Sequence, residues 1–208
     1  MTIQLDCYYS LSSPWAYFAG PQVQDIVRRH QVKLVLKPYD FQAVVQKTGG
    51  IPIRTRPAPR RSYHQLELAR WRDYLGMPMV IEPKYYPQQV PADPEWNKYA
   101  GWMVIAAQQQ GLDAFLLSHA LLRALWAEER DTSDARVRIA IASENGYDGA
   151  ALQALEKTPA VLAQYQAFSD EAERLGVFGA PTFVLEGERY WGQDRLGFVD
   201  RALERLRR

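Results

Sequence analysis

The sequence predicts an α/β protein in which a small sheet is assembled from the two ends of the chain and the middle is helical. Three observations carry this. Residues 1–40 read as strand, helix, strand, and residues 159–208 as helix, strand, strand, helix. From about Arg60 to Leu155 the apolar residues recur at helical rather than strand spacing.

At the N-terminus Ile3, Leu5, Cys7 and Tyr9 alternate with more polar neighbours, the period of a strand with one face turned to a core. Ser10 to Ser13 break the run. Ser13 before Pro14 reads as a helix N-cap followed by proline at the first helical position, and the helix extends towards Arg29 with a kink expected at Pro21. Val32, Leu34 and Leu36 alternate as a second strand that ends at Pro38. A strand-helix-strand unit of this kind places its strands parallel.

In the middle, Tyr63 to Leu75 carries Leu68, Trp71 and Leu75 on one stripe and stops at Gly76 and Pro78. Residues 84–94 hold three prolines and two tyrosines and read as a loop. Helices are expected over 94–110 and 112–130, separated by Gly111. The second is apolar nearly all round, from Phe115 and Leu116 to Trp126, which predicts the buried centre of the helical part. Two short helices follow Ser133 and Asp148, and a long one runs from Pro159 to near Gly176. Pro181 then opens a β-branched and aromatic run, Glu186-Gly187 offers a turn, and Gln193-Asp194-Arg195 opens a last helix.

Composition narrows the function. The 208 residues, 47% hydrophobic, suffice for a core in one domain or a domain with an insertion. Lys+Arg 25 against Asp+Glu 24 argues against nucleic acid or an anionic membrane as the main partner. Cys7 is the sole cysteine, which excludes an internal disulfide and any Cys-x-x-Cys redox pair and agrees with a cytoplasmic location. Met1 leads directly into the alternating run, so neither a signal peptide nor a membrane span is expected. His30, His64 and His119 have no metal-ligand spacing and read as structural, with no metal expected.

A strand that begins on a proline marks an edge, a bulge or a cis bond. A cis Ala180-Pro181 bond would present the Ala180 backbone, N–H and C=O together, to an extended ligand. Gly179-Ala180-Pro181-Thr182-Phe183 and Trp191-Gly192-Gln193-Asp194-Arg195 resemble the cis-proline loop and following hairpin of the thioredoxin-like superfamily, in the version found in 2-hydroxychromene-2-carboxylate isomerases and kappa-class glutathione transferases. That resemblance covers essentially the whole chain. It implies a thioredoxin-like fold with an inserted all-helical domain, the former from 1–55 plus 158–208 and the latter from 56–157.

Ser13-Pro14-Trp15-Ala16 stands where redox members of that superfamily have Cys-Pro-x-Cys, and both cysteines are missing, so thiol-disulfide exchange cannot run from this position. The resemblance makes Ser13 the catalytic residue, facing the thiol of bound glutathione. A helix N-terminus with a hydroxyl can donate to a thiolate and lower its pKa. The resemblance further implies Ala180, Pro181, Trp191, Asp194 and Arg195 as glutathione-binding, with Asp194 taking the γ-glutamyl ammonium. Arg60 and Glu67, which fall where relatives place a lysine and an aspartate, are by the same resemblance glutathione-binding. Gly50 replaces an asparagine of those relatives. Arg54, Arg56, Arg60 and Arg61 form a basic cluster, and arginine's planar fork suits carboxylates. The implied function is glutathione-dependent isomerisation of a small aromatic carboxylate in aromatic-hydrocarbon catabolism. A kappa-type transferase and a non-catalytic thioredoxin-like binding protein are the alternatives. Beyond a small molecule, the partner expected is at most a second copy of the chain in a homodimer.

Overall fold

The computed structural model describes residues 3–86 and 92–207. The part of the expected 84–94 loop over 87–91 lies outside the described residues; its flanks are turns and bends. Strand β1 (Gln4–Tyr9) leads into α1 (Pro14–His30) and β2 (Lys33–Pro38). Ser13 caps α1 by accepting from the Ala16 N–H, Pro14 takes the first position, and the helix continues through Pro21 to a left-handed Gln31.

Helix α2 (Phe41–Thr48) follows, between the Asp40 cap and a left-handed Gly49. After a short 3-10 turn at Ile53–Thr55 come α3 (Ala58–Leu75), α4 (Tyr99–Gln109), α5 (Ala114–Trp126), α6 (Ala135–Glu144), α7 (Gly149–Leu155) and α8 (Pro159–Arg174). The chain returns through β3 (Thr182–Leu185), β4 (Glu188–Trp191), a 3-10 turn at Gln193–Arg195 and α9 (Leu196–Leu206). Both turn residues of the β3–β4 hairpin, Glu186 and Gly187, have positive φ, 49° and 82°. Such a two-residue turn matches the twist of the strands it joins.

The sheet order is β2-β1-β3-β4, with β1 parallel to β2 and antiparallel to β3. This brings the two chain ends into register, Cys7 standing between Leu36 and Phe183. The expectation that β1 has one face towards a core needs correction. Leu5, Cys7 and Tyr9 enter the main core, but Tyr8 is also fully buried, in a second cluster with Tyr39, Val44, Ala172 and Val177. Helices α2 and α8 cover that second face.

Lys37, 6% exposed, lies there with its Nζ 2.9 Å from Asp6, 2.7 Å from Glu171 and 3.1 Å from the Tyr8 hydroxyl. Three partners occupy the three ammonium protons, which is what makes a buried lysine tolerable.

The buried centre of the helical part is α4, not α5. Every residue from Ala100 to Ala107 is buried, since α4 is packed between β2, α5, α7 and α8. Helix α5 lies on α1 with one side open, leaving Leu116 46% exposed and Phe115 half-buried. Helices α6 and α7 are clamped by a buried pair in which Arg138 donates twice to Glu156, both at 2.7 Å.

Candidate functional site

The site forms where the α1 N-terminus meets the loop before β3. Ala180-Pro181 is cis. The Ser13 hydroxyl accepts from the Ala16 N–H at 3.2 Å and donates to the Ala180 carbonyl at 3.2 Å. The expectation that Ala180 offers both backbone groups to a ligand is therefore altered. Its C=O is engaged by Ser13, while its N–H finds no acceptor among the described residues. At 8% exposure Ser13 sits at the bottom of a surface rather than on it. The 17-residue α1 brings the positive end of its dipole to that hydroxyl.

The loop is held from three sides. Thr182 and Tyr39 donate to the Gly179 carbonyl at 2.7 and 3.3 Å. The Gly192 N–H donates to the Pro181 carbonyl at 2.9 Å. This last bond fixes the end of β4 to the loop, so Trp191, paired with Thr182, lies beside it, and the 193–195 turn that carries Asp194 and Arg195 follows at once and packs against α1.

Gly179 is what lets the Trp191 indole lie this close, because a β-carbon in its place would overlap the ring. Trp191 lies over it, packs edge-on against Phe178 with centroids 4.9 Å apart, and remains 51% exposed. Asp194 pairs with Arg195 at 2.8 Å at the start of the turn into α9, both side chains open to solvent. Gly50 approaches the same loop from α2. A side chain there would run into the Phe178 carbonyl and Val45, so this backbone leaves no place for the asparagine of the relatives.

Arg60 and Glu67 sit on α3, which packs against α1 next to the site. The His64 ring lies edge-on to Trp15, the second residue of α1, at 5.4 Å. Arg60 is one turn before His64 and exposed; Glu67 is bound to Arg70 at 2.6 Å. Hydrogen bonds from Arg70 and Tyr63 hold the Glu67 carboxyl below its ordinary pKa. Neither side chain touches Ser13 or the Pro181 loop. The structure thus joins Ser13, Ala180, Pro181 and Trp191, puts Asp194 and Arg195 in the turn that follows Gly192, and leaves Arg60 and Glu67 on α3.

Cys7 is buried behind the site, with its thiol pKa raised by burial and then by Asp6. Two residues of the site were not singled out from sequence. Phe178, next to the first glycine of the loop, walls Trp191; Trp15, inside the Ser-Pro-Trp-Ala motif, meets α3. Both were readable as aromatic neighbours of a motif.

Residues 4–204 match the family model described as the DSBA-like thioredoxin domain. The chain belongs to this DsbA-like thioredoxin family. Among DsbA-like proteins of known structure, a 2-hydroxychromene-2-carboxylate isomerase superposes with a TM-score of 0.77 at 23% identity, covering 98% of this chain and 96% of that one. A cytosolic disulfide reductase from Pseudomonas aeruginosa, solved with GSH, superposes at 0.67 with 19% identity, covering 97% and 100%. Among curated relatives, a 2-hydroxychromene-2-carboxylate isomerase of Sphingobium xenophagum is 26% identical over 204 residues, 98% of this chain and 99% of its own. One of Pseudomonas putida is 23% identical, over 97% and 95%. Within the DsbA-like frame this chain differs from a disulfide exchanger at the decisive place, because the α1 N-terminus carries Ser13 and Ala16.

Proposed function

We propose that the protein is a glutathione-dependent isomerase of the 2-hydroxychromene-2-carboxylate type. The observation that carries the reading is the Ser13 hydroxyl, buried at the N-terminus of α1 and bonded to the residue before Pro181, in a family member with no cysteine at that end of the helix. The full-length curated relatives bearing the isomerase name supply the reaction class.

The donor set fits a γ-glutamyl tripeptide. The Ala180 N–H is available for strand-like pairing, the open Asp194 carboxylate suits an ammonium, and Trp191 and Phe178 form an apolar rim. When bound, glutathione would supply a thiolate that adds reversibly to the conjugated double bond of the ring-opened substrate, so that the bond can rotate before elimination restores it.

The chain's own part is to make that thiolate available. Rotation of the Ser13 hydroxyl from the Ala180 carbonyl towards the sulfur keeps its acceptor role at the Ala16 N–H and turns its proton to the anion. The helix dipole acts in the same direction, favouring the ionised thiol. Ser13 needs no base, since it donates and does not attack. Arg60 and Glu67 belong to this reading as contacts at the outer end of the tripeptide, reached across from α3.

The test is absorbance-monitored isomerisation of 2-hydroxychromene-2-carboxylate with and without glutathione. Turnover that requires glutathione and consumes none supports the proposal. Accumulation of a stable conjugate would assign the protein as a transferase instead, and binding without reaction would leave it a binding module.

A further inference from the structure

The turn after β4 is tied to the middle of α1. Gln193, its first residue, is only 2% exposed although its side chain is a primary amide. Its Oε1 accepts from Gln22 Nε2 on α1 at 3.0 Å. A buried amide is costly unless it finds a partner, whereas an apolar side chain at the same place would need none. The helix that supplies this partner also carries Ser13 at its N-cap, bonded to the Ala180 carbonyl. Gln22 stands nine positions after Ser13, about 14 Å further along the helix axis.

The residue that follows Gln193 is Asp194. A β-carbon placed on Gly192 would lie 2.5 Å from Asp194 Oδ1, so the carboxylate folds back over the Gly192 backbone. Gly192 is in turn bound to the cis-proline loop, its N–H donating to the Pro181 carbonyl at 2.9 Å, and its φ of 101° is one that glycine adopts freely. The other carboxylate oxygen, Oδ2, takes Arg195 at 2.8 Å. Among the described residues Oδ1 has no hydrogen-bond partner, and it stands open to an external donor.

Little else fixes the turn. Two backbone bonds run inside it, from the Arg195 N–H to the Gly192 carbonyl at 3.2 Å and from the Leu196 N–H to the Gln193 carbonyl. Asp194 and Arg195 are exposed, and Leu196 enters the main core only where α9 begins. Among the described residues, the bond between Gln22 and Gln193 is the one side-chain hydrogen bond from the turn to α1.

We infer that Gln193 and Gln22 are positioning residues that give the site its preference for a γ-glutamyl peptide with a free ammonium: their hydrogen bond holds the 193–195 turn against α1, so that Asp194 Oδ1 meets the ammonium while the thiol lies at Ser13. This rests on the glutathione reading and deepens it. Ser13 fixes the thiol end of the ligand, the glutamine pair fixes the amino end through Asp194, and α1 sets the span between them. The glutamines act through the carboxylate and not on the ligand itself.

The probes are glutathione and glutaryl-cysteinylglycine, the same tripeptide without its α-amino group. Each is titrated by calorimetry into wild type, Asp194→Asn, Gln193→Leu and Gln22→Leu, with thermal unfolding to show that the variants are folded. Wild type is expected to bind glutathione about tenfold or more tighter than the analogue, as for one charge-assisted pair, and Asp194→Asn to lose that preference. Both leucine variants should reduce it to about threefold or less, with the Kd of the analogue changed by less than about twofold. A preference that stays near the wild-type value in a folded leucine variant, or an equal weakening of both ligands, would reduce the pair to packing and overturn the inference. Equal binding of the two ligands to wild type would also overturn it, and would leave the glutathione reading standing. Binding of neither ligand to wild type would defeat the glutathione reading itself, and the inference with it. Gln22→Leu, on the less buried side of the bond, keeps the test decisive should Gln193→Leu fold poorly.

Discussion

Replacing Ser13 with alanine removes two hydrogen bonds with different functions, and their separation is the sharpest consequence of the structure. One, from the Ala16 N–H, is the cap of α1; its loss costs about 1 kcal/mol of stability. The other, to the Ala180 carbonyl, is a neutral bond in a largely buried setting, adding about 1 kcal/mol. A total of about 2 kcal/mol corresponds to a fall of roughly 4–8 °C in Tm for a chain of this size.

Catalysis responds on another scale. Losing the donor to the thiolate is expected to slow turnover by about one to three powers of ten and to move the rate profile to higher pH, because the bound thiol ionises less readily. Asp148→Ala is the control. It removes the cap of α7, a bond of 2.9 Å to the Ala151 N–H far from the site, and lowers Tm by a few degrees with turnover unchanged. The assays are thermal unfolding and the initial rate of isomerisation between about pH 5 and 9. A Ser13→Ala enzyme that loses stability but keeps the wild-type pH profile would refute the donor role and leave Ser13 a cap.

Three further outcomes follow from other parts of the molecule. Gly179→Ala should displace the Trp191 indole, weaken glutathione binding and cost about 1–3 kcal/mol by overpacking, read by calorimetry and chemical denaturation. Arg138→Ala should cost about 3–5 kcal/mol, since it strands the Glu156 carboxylate between α6 and α7; a loss below 1 kcal/mol in urea denaturation would contradict the clamp. His64 makes stability depend on pH in a fixed direction. Its folded pKa of about 4 lies below the unfolded value, so between about pH 6.5 and 4 the unfolded chain holds more protons and stability is lost as the pH is lowered. His64→Gln should flatten that part of the curve.

Much of the frame was legible in the sequence because the relevant signals are local. Ser13-Pro14 wrote the start of α1, Glu186-Gly187 the hairpin, and Gly76 the end of α3; each is a backbone requirement met within a few residues. Helix α2 was overlooked although Asp40 and Gly49 cap it, because its eight residues bury only Val44 and Val45 and give too short a period to read. The exchange of α4 for α5 as the buried centre has a different cause. Apolar content says how much a helix can bury, but neighbours on all sides decide how much it does, and those neighbours come from β2 and α8. Lys37 is the extreme case. Its partner Glu171 is 134 positions away, so nothing near the lysine announces that it is buried.

The candidate site divides along the same line. Ser13 and the Gly179–Arg195 stretch lie in compact motifs, and the structure brings Ser13 to the Ala180-Pro181 loop. The bond from Ser13 to Ala180 joins residues 167 positions apart, and the meeting of His64 with Trp15 depends on how α3 lies against α1. Neither could be read from spacing.

The central claim is that this DsbA-like chain borrows its thiolate from glutathione and holds it at Ser13. Its most direct test is the thiol pKa of bound glutathione, followed by ultraviolet absorbance of the thiolate in a pH titration of the complex with wild type and with Ser13→Ala. The account predicts a bound thiol that ionises below the pH at which free glutathione does, and a pKa that moves back up towards the free value in Ser13→Ala. A bound thiol with the free value in wild type, or one unmoved by the substitution, would contradict it.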